Sequence, residues 1–125
     1  LDTNAYRSLM DEDGKMVEVV ESAKEVILPI IVVGELFEAF KLGTREKFNL
    51  EKMEMFLDRA GVTLGEISVE TVHIYADIRV KLHRKGKPIP VNDVWIAALT
   101  MESGAVLVTN DGHFKDIAGL RVWGE

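Results

Sequence analysis

Residues 89–111 read IPVNDVWIAALTMESGAVLVTND, and this segment carries an acid near each end. Pro90 cannot lie inside a helix, so a helix is predicted to begin after it, with the side-chain oxygens of Asn92 and Asp93 capping the first backbone N–H groups. Residues 94–101 are apolar except for one threonine, which leaves the helix almost no face for water. The segment therefore predicts a buried helix that begins at an acid.

The second half of the segment predicts a strand that ends at another acid. Gly104 is placed to end the helix in left-handed geometry. Residues 105–108 are all apolar and too few for another helix, so they are predicted to form a buried strand. This strand runs into Thr109, Asn110 and Asp111. Because ligands of open parallel sheets bind at the carboxyl ends of strands, Asp111 is a candidate site residue.

The composition is that of a single globular domain over residues 1–125. The chain has 125 residues, of which 47% are hydrophobic, enough for one core and few for two. It contains no cysteine, so disulfides and thiolate zinc sites are excluded, and no apolar run is long enough to cross a bilayer. These features predict a cytoplasmic protein without a membrane partner.

The net charge argues against binding of nucleic acid through general positive charge. Lys and Arg number 15 against 21 Asp and Glu, which gives 15 − 21 = −6. A sequence-independent nucleic-acid binder is expected to be basic. Nucleic acid therefore stays a candidate ligand only if metal ions mediate the contact.

Short apolar strands alternate with helices along the chain. Strands are predicted at residues 26–28, 62–64, 105–108 and 120–123, and helices at residues 5–10, 15–24, 30–42, 45–60 and 69–85, besides the buried helix described above. This alternation is typical of an α/β fold in which a parallel sheet is covered by helices on both faces.

Four acids occupy positions that such a fold brings to one edge of the sheet. Asp2 and Asp111 follow predicted strands. Asp93 begins the buried helix, and Glu35 lies in an apolar helix directly after a strand. Four carboxylates in one pocket repel each other unless a cation joins them. With no Cys or paired His available, oxygen-binding Mg²⁺ or Mn²⁺ fits this group better than Zn²⁺.

Each of these acids also has a structural explanation. Asp2 could cap the helix that follows it, and Asp93 could be a first-turn acid favoured by the helix dipole. Asp111 precedes a glycine, as many turn residues do, and Glu35 could face solvent. The joint occurrence of four acids at four edge positions favours a site over four separate structural roles.

The other candidate residues are basic. His113 follows Asp111 closely and is a candidate substrate contact, although it also suits an ordinary turn. A basic cluster at the end of the 69–85 helix could contact phosphate or simply be solvated; it consists of Lys81, Arg84, Lys85 and Lys87. The chain has no glycine-rich phosphate loop, GxSxG or HExxH motif.

Taken in order, these motifs resemble those of the PIN-domain nucleases, and among them the VapC toxins of toxin–antitoxin pairs. The matching stretches are LDTN at residues 1–4, Glu35, PVND and IAA at residues 90–93 and 96–98, and VTND followed by HF at residues 108–111 and 113–114. The resemblance covers essentially the whole chain.

This resemblance implies a three-layer α/β/α fold with a parallel sheet of about five strands, and an Mg²⁺- or Mn²⁺-dependent endoribonuclease acting on RNA. The catalytic, metal-binding acids that it implies are Asp2, Glu35, Asp93 and Asp111, supported by Asn4, Thr109 and Asn110. It also implies a homodimer that a VapB-like antitoxin neutralises. The family has an apolar strand before its first Asp, and only Leu1 represents it here, so a truncated first strand is expected.

Three alternatives remain open at the level of the sequence. The chain could be a PIN-domain nuclease that processes RNA outside a toxin system, or a catalytically silent PIN-like binding module. A phosphorylatable receiver domain also has an α/β fold with an acidic edge. It requires adjacent acids after the first strand and a lysine after a late strand, where this chain has Thr109, Asn110 and Asp111.

Overall fold

The computed structural model describes residues 1–124, and within them the chain forms six α-helices, four short strands and one 3₁₀ helix. In chain order these are α1 (Thr3–Met10), α2 (Gly14–Ser22), β1 (Val26–Pro29), α3 (Ile30–Leu42), α4 (Glu46–Leu57), β2 (Val62–Gly65), α5 (Val69–Lys85), α6 (Val91–Glu102), β3 (Leu107–Val108), the 3₁₀ helix (Gly112–Asp116) and β4 (Val122–Trp123). The predicted alternation of strands and helices is confirmed.

The strands pair in parallel, but they do so in two separate pairs. β1 pairs with β2, with Val26 opposite Val62, and β3 pairs with β4, with Leu107 opposite Val122. The α/β class is confirmed, whereas the expected single sheet of about five strands is not observed among residues 1–124. The physical reason is strand length, because β3 and β4 have only two residues each.

Contacts divide the chain into two compact units. The first contains Leu1 and residues 3–65, and the second contains Asp2 and the residues from Glu66 onward. The single domain expected from the sequence, with its truncated first strand, stays a prediction. Within residues 1–124, no helix is both long enough and apolar enough to cross a membrane.

The core of the first unit is built from α1, α3, α4 and β1. Leu28, Val32 and Leu36 are completely buried, because the apolar run of β1 and α3 continues through Pro29 without interruption. Tyr6 packs edge-on against Phe56, with ring centroids 5.5 Å apart. The Tyr6 hydroxyl is buried without a hydrogen-bond partner in the described chain, and burial raises the pKa of Tyr6 to about 12.

The core of the second unit is built around α6, which packs along α5. Val94 and residues 96–100 are buried, so the predicted burial of this helix is confirmed. Tyr75 of α5 stacks on Trp95 of α6, with ring centroids 3.7 Å apart. Gly104 adopts a φ of +65° and Ala105 N donates to Thr100 O, which is the left-handed helix end expected from the sequence.

The start of α6 differs from the prediction. The helix begins at Val91, its N-cap is Pro90, and no side-chain hydrogen bond caps it. The capping roles predicted for Asn92 and Asp93 are therefore wrong. The fixed φ of proline already suits the entry to a helix, so both residues lie inside the first turn.

The start of α5 is capped by its own first turn and by the end of α6. Ser68 and Thr71 form a reciprocal capping box. Both hydroxyls also donate to Glu102, Ser68 Oγ to Oε2 at 2.7 Å and Thr71 Oγ1 to Oε1. The hydrogen bond from Thr71, and then that from Ser68, hold the pKa of Glu102 below its ordinary value.

Candidate metal centre

The second unit brings two of the predicted acids together. Asp93 lies in the first turn of α6, and its side chain is only 17% exposed. Asp111 follows β3 and is the N-cap of the 3₁₀ helix. Its Oδ1 accepts a hydrogen bond from the backbone N–H of His113 at 2.9 Å. A buried helix start and a strand end therefore position the two carboxylates, as the order of elements in the sequence predicts.

His113 lies between these carboxylates. Its Nδ1 is 3.2 Å from Asp93 Oδ2 and 3.1 Å from Asp111 Oδ1. One ligand atom from each of the three residues lies within 4.8 Å of the others. Two carboxylates and an imidazole form a donor set that fits a divalent cation, since all three can turn lone pairs towards one point.

Asp2 is held next to this group by a threonine. Asp2 is 5% exposed, and its backbone N–H donates to Val108 O at 3.3 Å. Thr109 Oγ1 donates to Asp2 Oδ2 and accepts from the backbone N–H of Asp111 at 2.9 Å. One buried hydroxyl thus fixes the position of Asp2 relative to the backbone of Asp111.

Glu35 belongs to the first unit and has its own anchor there. It lies in α3, and its Oε1 accepts a hydrogen bond from Thr3 Oγ1 at 2.6 Å. Thr3 is the residue that directly follows Asp2 in the chain. The orientation of the Glu35 carboxylate is therefore set by a neighbour of the first acid in sequence.

The residues expected to support the acids have unequal roles. Thr109 is 2% exposed and makes the two hydrogen bonds just described, whereas Asn4 and Asn110 are exposed. Two residues of the basic cluster contact the end of the 3₁₀ helix. Lys85 Nζ donates to the backbone carbonyl of Asp116 at 3.3 Å, and Lys87 Nζ lies 3.5 Å from the Asp116 carboxylate.

Reasoning from the sequence did not identify His113 as a member of the metal group. It predicted a substrate contact or a turn residue, whereas the structure places the imidazole against both carboxylates. The available signal was the spacing Asp111-Gly112-His113. An Asp that caps a turn through the N–H two residues later brings that residue's side chain back towards its own carboxylate.

Comparison with known proteins agrees with this arrangement. Residues 1–120 match the family model described as PIN domain. The chain belongs to the PIN-domain family. Among curated proteins, this PIN domain is similar to Ribonuclease VapC2 of Rickettsia felis, with 29% identity over 96% of the chain and 92% of that protein. It is also similar to Ribonuclease VapC2 of Haemophilus influenzae, with 28% identity over 81% of the chain and 76% of that protein.

The PIN fold is also found in similar solved structures. The crystal structure of VapBC2 from Rickettsia felis bound to a DNA fragment from their promoter superposes with a TM-score of 0.87. The identity is 25%, over 99% of this chain and 96% of that one. The α/β PIN fold implied by the resemblance is thus confirmed, and the relatives are ribonucleases of toxin–antitoxin systems.

Proposed function

We propose that this PIN-domain protein is an Mg²⁺- or Mn²⁺-dependent endoribonuclease that acts as the toxin of a VapBC-type toxin–antitoxin pair. The observation that carries the proposal is the convergence of Asp93, Asp111 and His113 within 4.8 Å. The names of the similar curated proteins support the activity, and the similar VapBC complex supports an antitoxin as partner.

The proposed metal ligands are Asp2, Glu35, Asp93 and Asp111, with His113 beside them. A bound divalent cation supplies positive charge that neutralises a phosphodiester and lowers the pKa of water. The residues of the chain hold the carboxylates for this purpose. Thr109 orients Asp2, Thr3 orients Glu35, and the imidazole of His113 lies between the carboxylates of Asp93 and Asp111.

Carboxylate ligands suit Mg²⁺ or Mn²⁺ better than softer metals. The cation also reconciles RNA cleavage with a net charge of −6, because the acidic centre then attracts phosphate instead of repelling it. We further propose that the protein forms a homodimer, as the VapC resemblance implies.

The test is cleavage of a structured RNA with Mn²⁺ or with EDTA, by the wild type and by Asp93→Asn. We expect cleavage only by the wild type and only with metal. Asp77→Asn is the matched control, since Asp77 is an exposed acid on α5 of the same unit. Equal cleavage by the wild type and Asp93→Asn would refute the site.

A second readout separates metal binding from catalysis. A ligand that binds only the folded state at 100 times its Kd stabilises it by about 2.7 kcal/mol. We therefore expect Mn²⁺ to raise the urea midpoint of the wild type and of Asp77→Asn, but much less that of Asp93→Asn. Metal-dependent stabilisation without any RNA cleavage would instead favour a catalytically silent binding module.

A further inference from the structure

The first unit contains an open groove between α1, α3 and α4 that the metal centre does not use. Its volume is about 370 Å³. We call it the α1–α4 groove, and its lining includes Tyr6 and Arg7 of α1, Phe40 of α3, and Arg45, Phe48 and Lys52 at the start of and along α4.

Three cations converge on this groove in a protein that is acidic overall. Arg7, Arg45 and Lys52 line it, against a single carboxylate, that of Asp11. None of the three cations forms an ion pair with a carboxylate within residues 1–124. Unpaired positive charge at one place on a chain of net charge −6 favours an anionic occupant.

The groove also presents an aromatic face. Phe48 is 42% exposed. The Arg45 guanidinium carbon lies 4.1 Å from its ring centroid, and Lys52 Nζ lies 5.0 Å from it. Aromatic rings interleaved with cations are the arrangement that binds single-stranded nucleic acid, because bases stack on the rings while phosphates pair with the cations.

The groove begins one helical turn from the anchored Glu35. On α1, Tyr6 and Arg7 lie three and four residues after Thr3, which donates to Glu35, so all three share one face of the helix. On α3, Ala39 lines the groove four residues after Glu35. One turn advances about 5.4 Å, so the groove continues directly from the Thr3–Glu35 pair within the first unit.

We propose that the α1–α4 groove binds a single-stranded segment of the RNA substrate. A base stacks on Phe48 in place of one of the two cations that now rest on the ring, and Arg7, Arg45 and Lys52 pair with the phosphates. This inference rests on the proposed ribonuclease function, and it assigns to the groove the recognition of RNA beyond the reacting phosphate.

The test measures RNA binding in the absence of cleavage. A labelled single-stranded oligoribonucleotide is titrated with the full chain in EDTA, and fluorescence anisotropy gives the Kd. Phe48→Leu keeps an apolar side chain at this exposed position but removes the ring. We expect it to weaken binding roughly 5- to 150-fold, the range for the loss of one stacked base.

The charge contribution has a matched control on the same helix. Lys52→Gln removes a groove cation, whereas Lys47→Gln removes another exposed lysine, one that does not line the groove. We expect Lys52→Gln to weaken binding and to reduce the slope of log K against log salt concentration by about 0.7, and Lys47→Gln to change neither. Thermal unfolding of each variant verifies that it is folded.

Two results would overturn the groove assignment. The first is that Phe48→Leu binds the RNA with the wild-type Kd, and that Lys52→Gln and Lys47→Gln change the Kd to the same extent. The other is that an acidic, aromatic peptide binds the groove while the RNA does not bind the wild type, which would make it a peptide site. If RNA binding depends on Phe48 but Mn²⁺-dependent cleavage does not occur, the proposed nuclease is refuted and the groove assignment is not. The failures of the two proposals are therefore distinguishable.

Discussion

Replacing Thr109 by valine removes the hydroxyl that connects two of the proposed metal ligands. Thr109 is 2% exposed, and valine has nearly its shape, so the substitution leaves no cavity. It removes the hydrogen bond donated to Asp2 Oδ2 and the acceptor of the Asp111 backbone N–H. Thr109→Val therefore isolates the polar contribution of one buried atom.

The expected loss of stability follows from these two hydrogen bonds. A hydrogen bond to a charged group contributes about 1.5–3 kcal/mol, and a buried donor left without an acceptor costs about 1–3 kcal/mol. The Asp111 N–H is only partly buried, which places its cost at the lower end of that range. We expect Thr109→Val to reduce the free energy of unfolding by about 3 kcal/mol, and to weaken Mn²⁺ binding because Asp2 is no longer held.

Urea unfolding with and without Mn²⁺ measures both effects. Thr100→Val is the matched control, since Thr100 is 8% exposed and its hydroxyl donates to Ile96 O at 2.8 Å within α6. That carbonyl keeps its helical hydrogen bond in the variant, so we expect a loss below about 1 kcal/mol. Equal effects of the two substitutions would refute the role assigned to Thr109.

Three further predictions concern stability. Burial raises the pKa of Tyr6 to about 12. The folded state therefore retains a proton that the unfolded chain loses near pH 10. The free energy of unfolding should fall as pH rises from about 10 to 12. Tyr6→Phe should abolish that fall in urea unfolding at pH 9 and 11, without loss at pH 7. Thr71 and Ser68 lower the pKa of Glu102. Its carboxylate therefore contributes stability above pH 4.5, and this stability is lost as pH falls through the lowered pKa. Glu102→Gln should flatten this acid dependence of stability. Gly61 has a φ of +81°, so Gly61→Ala should cost about 1–2 kcal/mol.

Each of these has an outcome that would contradict it. A loss above about 1 kcal/mol in Tyr6→Phe at pH 7 would mean that the hydroxyl has a hydrogen-bond partner after all. An unchanged acid profile in Glu102→Gln would mean that its two hydrogen bonds do not form in solution. Gly34→Ala is the control for Gly61→Ala, because Gly34 lies inside α3 with open space around it, and alanine there should stabilise by up to about 1 kcal/mol.

Local structure was largely predictable because the signals for it are local. α3 and α5 have the predicted bounds, residues 30–42 and 69–85. Pro29 and Gly43 flank the first of these helices, and Gly86, with a φ of +67°, ends the second. Proline and glycine act on their own backbone dihedrals, so their effect does not depend on the rest of the fold.

The pairing of strands was less predictable because it depends on distant residues. β1 pairs with β2 across the whole of α3 and α4, and nothing in strands of two to four residues fixes the number of partners. The same limit applies to Glu35, whose anchor Thr3 lies 32 residues away. A carboxylate in an apolar helix indicates a polar partner, but the sequence does not identify it.

The candidate site contains both a feature that the sequence predicts and a feature that it does not. The convergence of Asp93 and Asp111 was predicted from the order of a helix start and a strand end, and the structure brings them together. Their role as metal ligands, together with Asp2 and Glu35, stays a prediction. The place of His113 depends on a 3₁₀ turn that periodicity does not reveal, because the turn is only five residues long.

The hydrogen bonds from Ser68 and Thr71 to Glu102 have a consequence for folding cooperativity. The first turn of a helix usually frays alone, and its amide hydrogens exchange with solvent faster than those of the interior. Here the end of α6 holds the hydroxyls that cap α5. Opening the first turn of α5 requires the end of α6 to release them, so both helix ends should exchange their amide hydrogens in one shared opening event.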